Sequence, residues 1–214
     1  MPPHRQLVPL PCSPQLYEPA EVKQLYADRY QHVLTFLGFG ELGYSDIDRF
    51  TRIVELELDR VQRDASVVNT ATLVTDGFEP GMADVYAIAH RMNLRTAGLF
   101  PRIALNSPGR YSLSAFVDDV YFVNDNTWGG YLPGTGIPSK MLTALTAVTD
   151  EVVVIGGGKH TAQEMREMVK MGKPIRYHAL EMNIEVAGRW YAQQCQPVPD
   201  PRGEAFQYWS GRNW

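Results

Sequence analysis

Residues 150–164, DEVVVIGGGKHTAQE, restrict what this chain can fold into more than any other stretch. Val152, Val153, Val154 and Ile155 form an unbroken β-branched run with no polar residue to face water. Such a run suits a central strand of a parallel sheet, covered on both faces. Gly156, Gly157 and Gly158 follow at once, so the chain can turn tightly and a ligand can approach bare backbone. Lys159, His160 and Thr161 then lead into a helix that carries Gln163 and Glu164 in its first turn. Amides at a helix start have no partner within the helix, and with the dipole behind them they attract anions such as phosphate.

The same alternation runs through the chain. Strand-like segments at 32–37, 71–75, 95–100, 117–123, 152–155 and 173–177 are separated by helical patterns. The helix after 44 shows it best. Ser45 is its expected N-cap, and Ile47, Phe50, Ile53, Val54, Leu56, Leu58 and Val61 form an apolar stripe. Charged residues, Glu57 among them, take the other positions. The order β-α-β-α-β, then β-α-β-α-β, predicts an α/β fold. The expectation is a single doubly wound Rossmann-like domain, with a mainly parallel central sheet and helices on both faces. With 214 residues, one such domain uses most of the chain. It is expected over 20–184, after an extended Pro-rich arm at 1–19. Residues 185–214 form an aromatic, Pro-rich tail expected to pack on the domain or on a partner subunit.

Composition narrows the function. A formal net charge of −4 provides no basic footprint for nucleic acid. Apolar runs stay strand-length, too short to span a bilayer, and the proline-dense start does not read as a leader. Cys12 and Cys195 are expected to be free thiols in a cytoplasmic protein. The histidines show no metal-ligand spacing with the cysteines, so no metal is expected. There is no GxSxG elbow and no Walker loop. Gly38-Phe39-Gly40 followed by Gly43 fits GxGxxG as a string, but no acidic residue follows at dinucleotide-binding distance.

In a doubly wound sheet, ligands bind beyond the carboxyl ends of the strands. The glycine-bearing loops at those ends are 38–44, 76–81, 124–138 and 156–161. The candidate phosphate-binding residues are therefore Gly38, Gly40, Gly77, Gly156, Gly157, Gly158, Lys159, His160 and Thr161. Asp76 and Glu79 could hold ribose hydroxyls, and Trp128 and Tyr131 could cover a base. Glu164 is the candidate catalytic base or nucleophile. Each also has a plainer reading. Glycine suits any tight turn, an Asp-Gly pair is turn chemistry, Thr161 can cap a helix, and Glu164 can stabilise the helix dipole.

Residues 157–164, Gly-Gly-Lys-His-Thr-Ala-Gln-Glu, resemble the GGxGTxxE signature of the SLOG superfamily, which includes the cytokinin-releasing LOG enzymes. The glycine turn at Gly81 entering an alanine-rich helix, and Asp150 ahead of the strand, are similar to that family as well. The resemblance implies a Rossmann-like domain, a bound nucleotide or nucleotide derivative, and homo-oligomers, dimers above all. It also implies an alternative activity, cleavage of a nucleotide N-glycosidic bond through Glu164. Three positions depart from the LOG pattern. Gly156 replaces a proline, His160 replaces a loop glycine, and Ser139-Lys140 stands nearest to where LOG enzymes carry an Arg-Lys pair. Without that arginine, the resemblance points to binding more than to LOG-type hydrolysis. A third possibility is a scaffold whose glycine loops meet only a protein partner.

Overall fold

The structure, a computed structural model, describes residues 7–64, 69–75, 77–78, 82–107 and 111–211. Asp76, Glu79, Gly81 and Trp214 lie outside the described residues, as does the start of the proline-rich arm. In chain order the strands are β1 (Leu7–Pro9), β2 (Leu16–Tyr17), β3 (His32–Leu37), β4 (Thr70–Thr75), β5 (Arg95–Pro101), β6 (Ser112–Ser114), β7 (Asp119–Val123), β8 (Glu151–Ile155) and β9 (Ile175–His178). The helices are α1 (Pro19–Arg29), α2 (Ile47–Arg63), α3 (Asp84–Arg91), α4 (Lys140–Val148), α5 (Lys159–Lys170), α6 (Ile184–Gln193) and α7 (Gly203–Ser210).

Among the described residues the main sheet has seven strands, all paired in parallel, in the order β2-β7-β5-β4-β3-β8-β9. The fold is therefore α/β and doubly wound. The six strands expected from the sequence form its body, and β2 adds an edge by pairing Leu16 with Phe122. β1 pairs antiparallel with β6 in a separate two-stranded ribbon, so residues 7–17 contribute strands to two sheets.

Alternation along the strands sorts most buried side chains into two cores, and a third cluster holds Phe78, Phe100, Ala104, Tyr111, Leu113 and Phe122. Val33, Leu37, Leu73, Leu99, Val152 and Val154 face Tyr26 of α1, Leu145 of α4 and Met165 of α5. Leu34, Phe36, Val74, Val153 and Ile155 face Phe50 and Val54 of α2, Tyr86 of α3 and Ala187 of α6. The run from Val152 to Ile155 is wholly buried because it serves both.

The helix at 47–63 departs from its expected pattern in two ways. Asp46, not Ser45, is the N-cap and accepts from Arg49 N at 2.8 Å, while Ser45 N donates to Glu181 O at 3.1 Å. Glu57 is fully buried, whereas Leu56 is exposed. Glu57 is tolerated there because Arg60 Nε at 3.0 Å, Arg176 Nε at 2.7 Å and His178 Nε2 at 2.7 Å surround its carboxylate. A sequence stripe counts apolar residues and does not see a polar one whose partners come from a distant strand. No helix among the described residues is long and apolar enough to cross a membrane.

Candidate functional site

From β3 the chain winds outward through β4, β5 and β7, then crosses back through α4 to place β8 on the other side of β3. The order reverses between β3 and β8, and the loops leaving these strands splay apart there, which is where open α/β sheets bind ligands. A cleft of about 410 Å³ opens at this point. That lies within the range of roughly 300–1,000 Å³ common for small-molecule sites.

Its first wall comes from the two switch-point loops: Gly38, Phe39, Gly40, Glu41 and Leu42 after β3, and Gly158, Lys159, His160 and Thr161 after β8. The chain brings them together with its own hydrogen bonds. The hydroxyl of Tyr44 donates to Ile155 O at 2.9 Å, and Thr161 Oγ1 donates to Gly38 O at 2.8 Å. A side chain at Gly38 would occupy the place of the Tyr44 hydroxyl. Burial raises the Tyr44 pKa well above its ordinary value, so the phenol remains a donor.

The glycine turn itself divides into two halves. Gly156 and Gly157 are buried at φ +57° and +118°, and a Cβ on Gly156 would sit 2.5 Å from Leu180 O. Gly157 O accepts from Ala205 N at 3.1 Å, so the start of α7 seals this half against the protein. Gly158 begins the open half. It is the N-cap of α5, and no side chain caps it. The amides of the first turn thus lie beside the cleft together with Lys159 and His160. His160 is exposed at the rim. Desolvation by the surrounding chain, and then Lys159, hold its imidazole below the ordinary pKa, against the opposing influence of Glu204.

The second wall is aromatic. Phe78, Tyr111 and Trp128 stand on one side, with ring centroids 4.9 Å apart for Phe78 and Tyr111 and 5.0 Å apart for Tyr111 and Trp128. Trp190 and Tyr191 of α6 stand in edge contact with each other, at 4.7 Å. These rings could stack on a planar ligand.

The remaining candidates lie elsewhere. Gly77 is buried beneath Tyr86, whose ring a Cβ there would meet at 2.6 Å, and it does not line the cleft. Tyr131 is drawn to the outer side of α5. Its amide donates to Gln163 Oε1 at 3.1 Å, its hydroxyl donates to Glu167, and Lys170 Nζ lies 5.4 Å from its ring centroid. Glu164 is buried away from the cleft lining, with Oε1 3.9 Å from the point a Cβ on Gly129 would occupy. Asp125 holds the start of the 124–138 loop by accepting from Thr127 N at 2.8 Å and Met141 N at 2.6 Å, which leaves Trp128 at the cleft. Among the described residues, no group of three or more His, Cys, Asp and Glu side chains could hold a metal ion.

Phe39, Phe78, Tyr111, Trp190 and Tyr191 were not expected at the site. The Trp190-Tyr191 pair falls in the aromatic tail, where the sequence shows that rings must be covered but not what covers them.

No protein-family profile matches the chain, and no curated protein sequence does. Among solved structures, it is similar to the X-ray structure of TM1055, a target of the Northeast Structural Genomics Consortium. That likeness has 19% identity and a TM-score of 0.45, over 68% of this chain and 72% of the other.

Proposed function

We propose that this chain binds a nucleotide or nucleotide derivative in the switch-point cleft. The observation that carries this reading is the pairing of an uncapped helix start with aromatic rings across one cavity of about 410 Å³. The phosphate would lie at the first-turn amides of α5, beside Lys159 and His160. The base would stack among Trp128, Tyr111 and Trp190. The resemblance of residues 157–164 to the SLOG signature supports the same ligand class, and a homodimer accords with it. N-glycosidic cleavage through Glu164 is the less favoured reading, because that carboxylate is buried outside the cleft lining.

Thermal unfolding with AMP, ADP-ribose and cyclic AMP tests binding. A stabilising shift is expected with at least one of them. Gly158→Asp supplies the test variant, because Gly158 has φ −91° and ψ −155°, where an aspartate can cap α5 and oppose an anion. The variant should fold normally and lose the shift. No shift with any ligand, or an undiminished shift in the variant, would contradict the proposal. Release of free base from a nucleoside monophosphate, abolished in Glu164→Gln, would instead support the enzymatic reading.

A further inference from the structure

The open half of the glycine turn is not left to an incoming anion alone. At the start of α7, Gly203 packs against the Gly157 backbone, and Ala205 N donates to Gly157 O at 3.1 Å. Glu204, between them, is thereby brought next to Gly158, a residue of the cleft lining. Its Oε2 lies 3.6 Å from the point a Cβ on Gly158 would occupy. Its charge favours the protonated forms of both His160 and Tyr191, two residues of the lining. On the facing turn Glu41 adds a second carboxylate to the lining. Lys159 therefore shares the lining with Glu41, with Glu204 against its Gly158 end, while desolvation and Lys159 bias the His160 imidazole toward neutrality against the pull of Glu204.

This arrangement suits a small negative charge and opposes a large one. A phosphomonoester carries about −1.5 to −2 at neutral pH. A phosphodiester carries a single charge while keeping the oxygens that accept from helix-start amides. Like charges brought together in a partly desolvated cleft repel more strongly than in bulk water.

We infer that Glu204 is a specificity-determining residue, a fixed carboxylate beside the α5 N-terminus that disfavours phosphomonoesters and selects ligands joined through a phosphodiester. The inference rests on the nucleotide reading of the cleft and adds the charge state of the ligand to it. Glu204 needs no contact with the base for this role. It is held by the backbone of α7, whose register is fixed by the Ala205–Gly157 hydrogen bond and by Met182 N donating to Pro201 O at 2.9 Å.

The test compares adenosine 5′-monophosphate with its phosphate methyl ester, which differ by one methyl group and by the second ionisation. Calorimetric titrations of the full chain and of Glu204→Gln give four affinities. In the wild type the methyl ester should bind about tenfold more tightly than the monoester. Glu204→Gln should tighten monoester binding by about tenfold and leave the methyl ester within about threefold, closing the gap. Glu204→Asp, which keeps the charge on a shorter arm, should retain a preference for the ester and guards against a purely structural effect of glutamine. A wild type that prefers the monoester, or a ratio unmoved by Glu204→Gln, overturns the role of Glu204 while leaving nucleotide binding intact. Failure of both compounds to bind wild type and variant alike overturns the nucleotide reading and this inference with it.

Discussion

The two walls of the cleft are built on opposite principles. The glycine wall, from Gly38 to Leu42 and from Gly158 to Thr161, follows from sheet topology, because the loops leaving β3 and β8 must part where strand order reverses. The aromatic wall has no such origin. Phe78, Tyr111, Trp128, Trp190 and Tyr191 reach one cavity from the turn after β4, the approach to β6, the loop after β7, and α6. The first wall is tied to the sheet by Tyr44 and Thr161, whereas the second is mostly ring against ring. Changes at the buried glycine behind the first wall, Gly156, should therefore damage the fold, whereas changes at partly exposed lining residues such as Gly158 and Trp190 should damage the site.

Gly156→Val carries the largest expected effect. Its new side chain would meet Leu180 O and the Phe39 ring at a positive φ, so unfolding free energy in urea should fall by about 3 kcal/mol. Stability close to wild type would mean that the buried half of the turn is not the anchor described above.

Glu57→Gln breaks the buried ion cluster where α2 meets β9 through Arg176 and His178. Burial pushes the Glu57 carboxyl up, but bonds from His178, Arg176 and Arg60 outweigh it and hold the pKa at about 2, against an ordinary 4.5. A folded-state pKa below the unfolded value stabilises the protein above pH 4.5, and this contribution is lost as pH falls from there toward 2. The variant should lose about 2 kcal/mol at neutral pH and show a shallower decline of stability across that acid window. Denaturant titrations at several pH values measure both.

On the aromatic wall, Trp190→Ala should leave the unfolding midpoint nearly unchanged while weakening nucleotide binding by about fivefold, or about 1 kcal/mol. Loss of stability without loss of affinity would reverse the contrast between the walls. The smallest effect belongs to His160. Its imidazole titrates below the ordinary value of 6.5, so affinity for an anionic ligand should rise by about twofold to threefold only as pH falls below that value. His160→Gln should remove its share of the change.

What the sequence discloses divides along the same line. The run from Val152 to Ile155 and the glycines after it announce a buried parallel strand and a tight turn, and alternating helices predict the doubly wound sheet. Local chemistry suffices for those features. It does not say that Gly156 and Gly157 make room for Phe39, Thr161 and α7, with only Gly158 opening toward the cleft. Nor does it separate Trp128 from Tyr131, three residues apart, of which one lines the cavity and the other is held by Gln163 and Glu167. The burial of Glu57 and the position of Glu204 depend on partners more than forty residues away in sequence. Such pairings follow from the assembled topology and leave no periodic trace.

Trp128 and Trp190 both line the cleft, so their intrinsic fluorescence reports directly on its occupation. Titration with the methyl ester of adenosine 5′-monophosphate should produce a saturable change with a dissociation constant below about 1 mM, an affinity stronger than about −4 kcal/mol. That change should disappear in Gly158→Asp while the variant still unfolds cooperatively. A linear, non-saturating response in the wild type, or saturation that survives in Gly158→Asp, would contradict a nucleotide held at the switch point of the sheet.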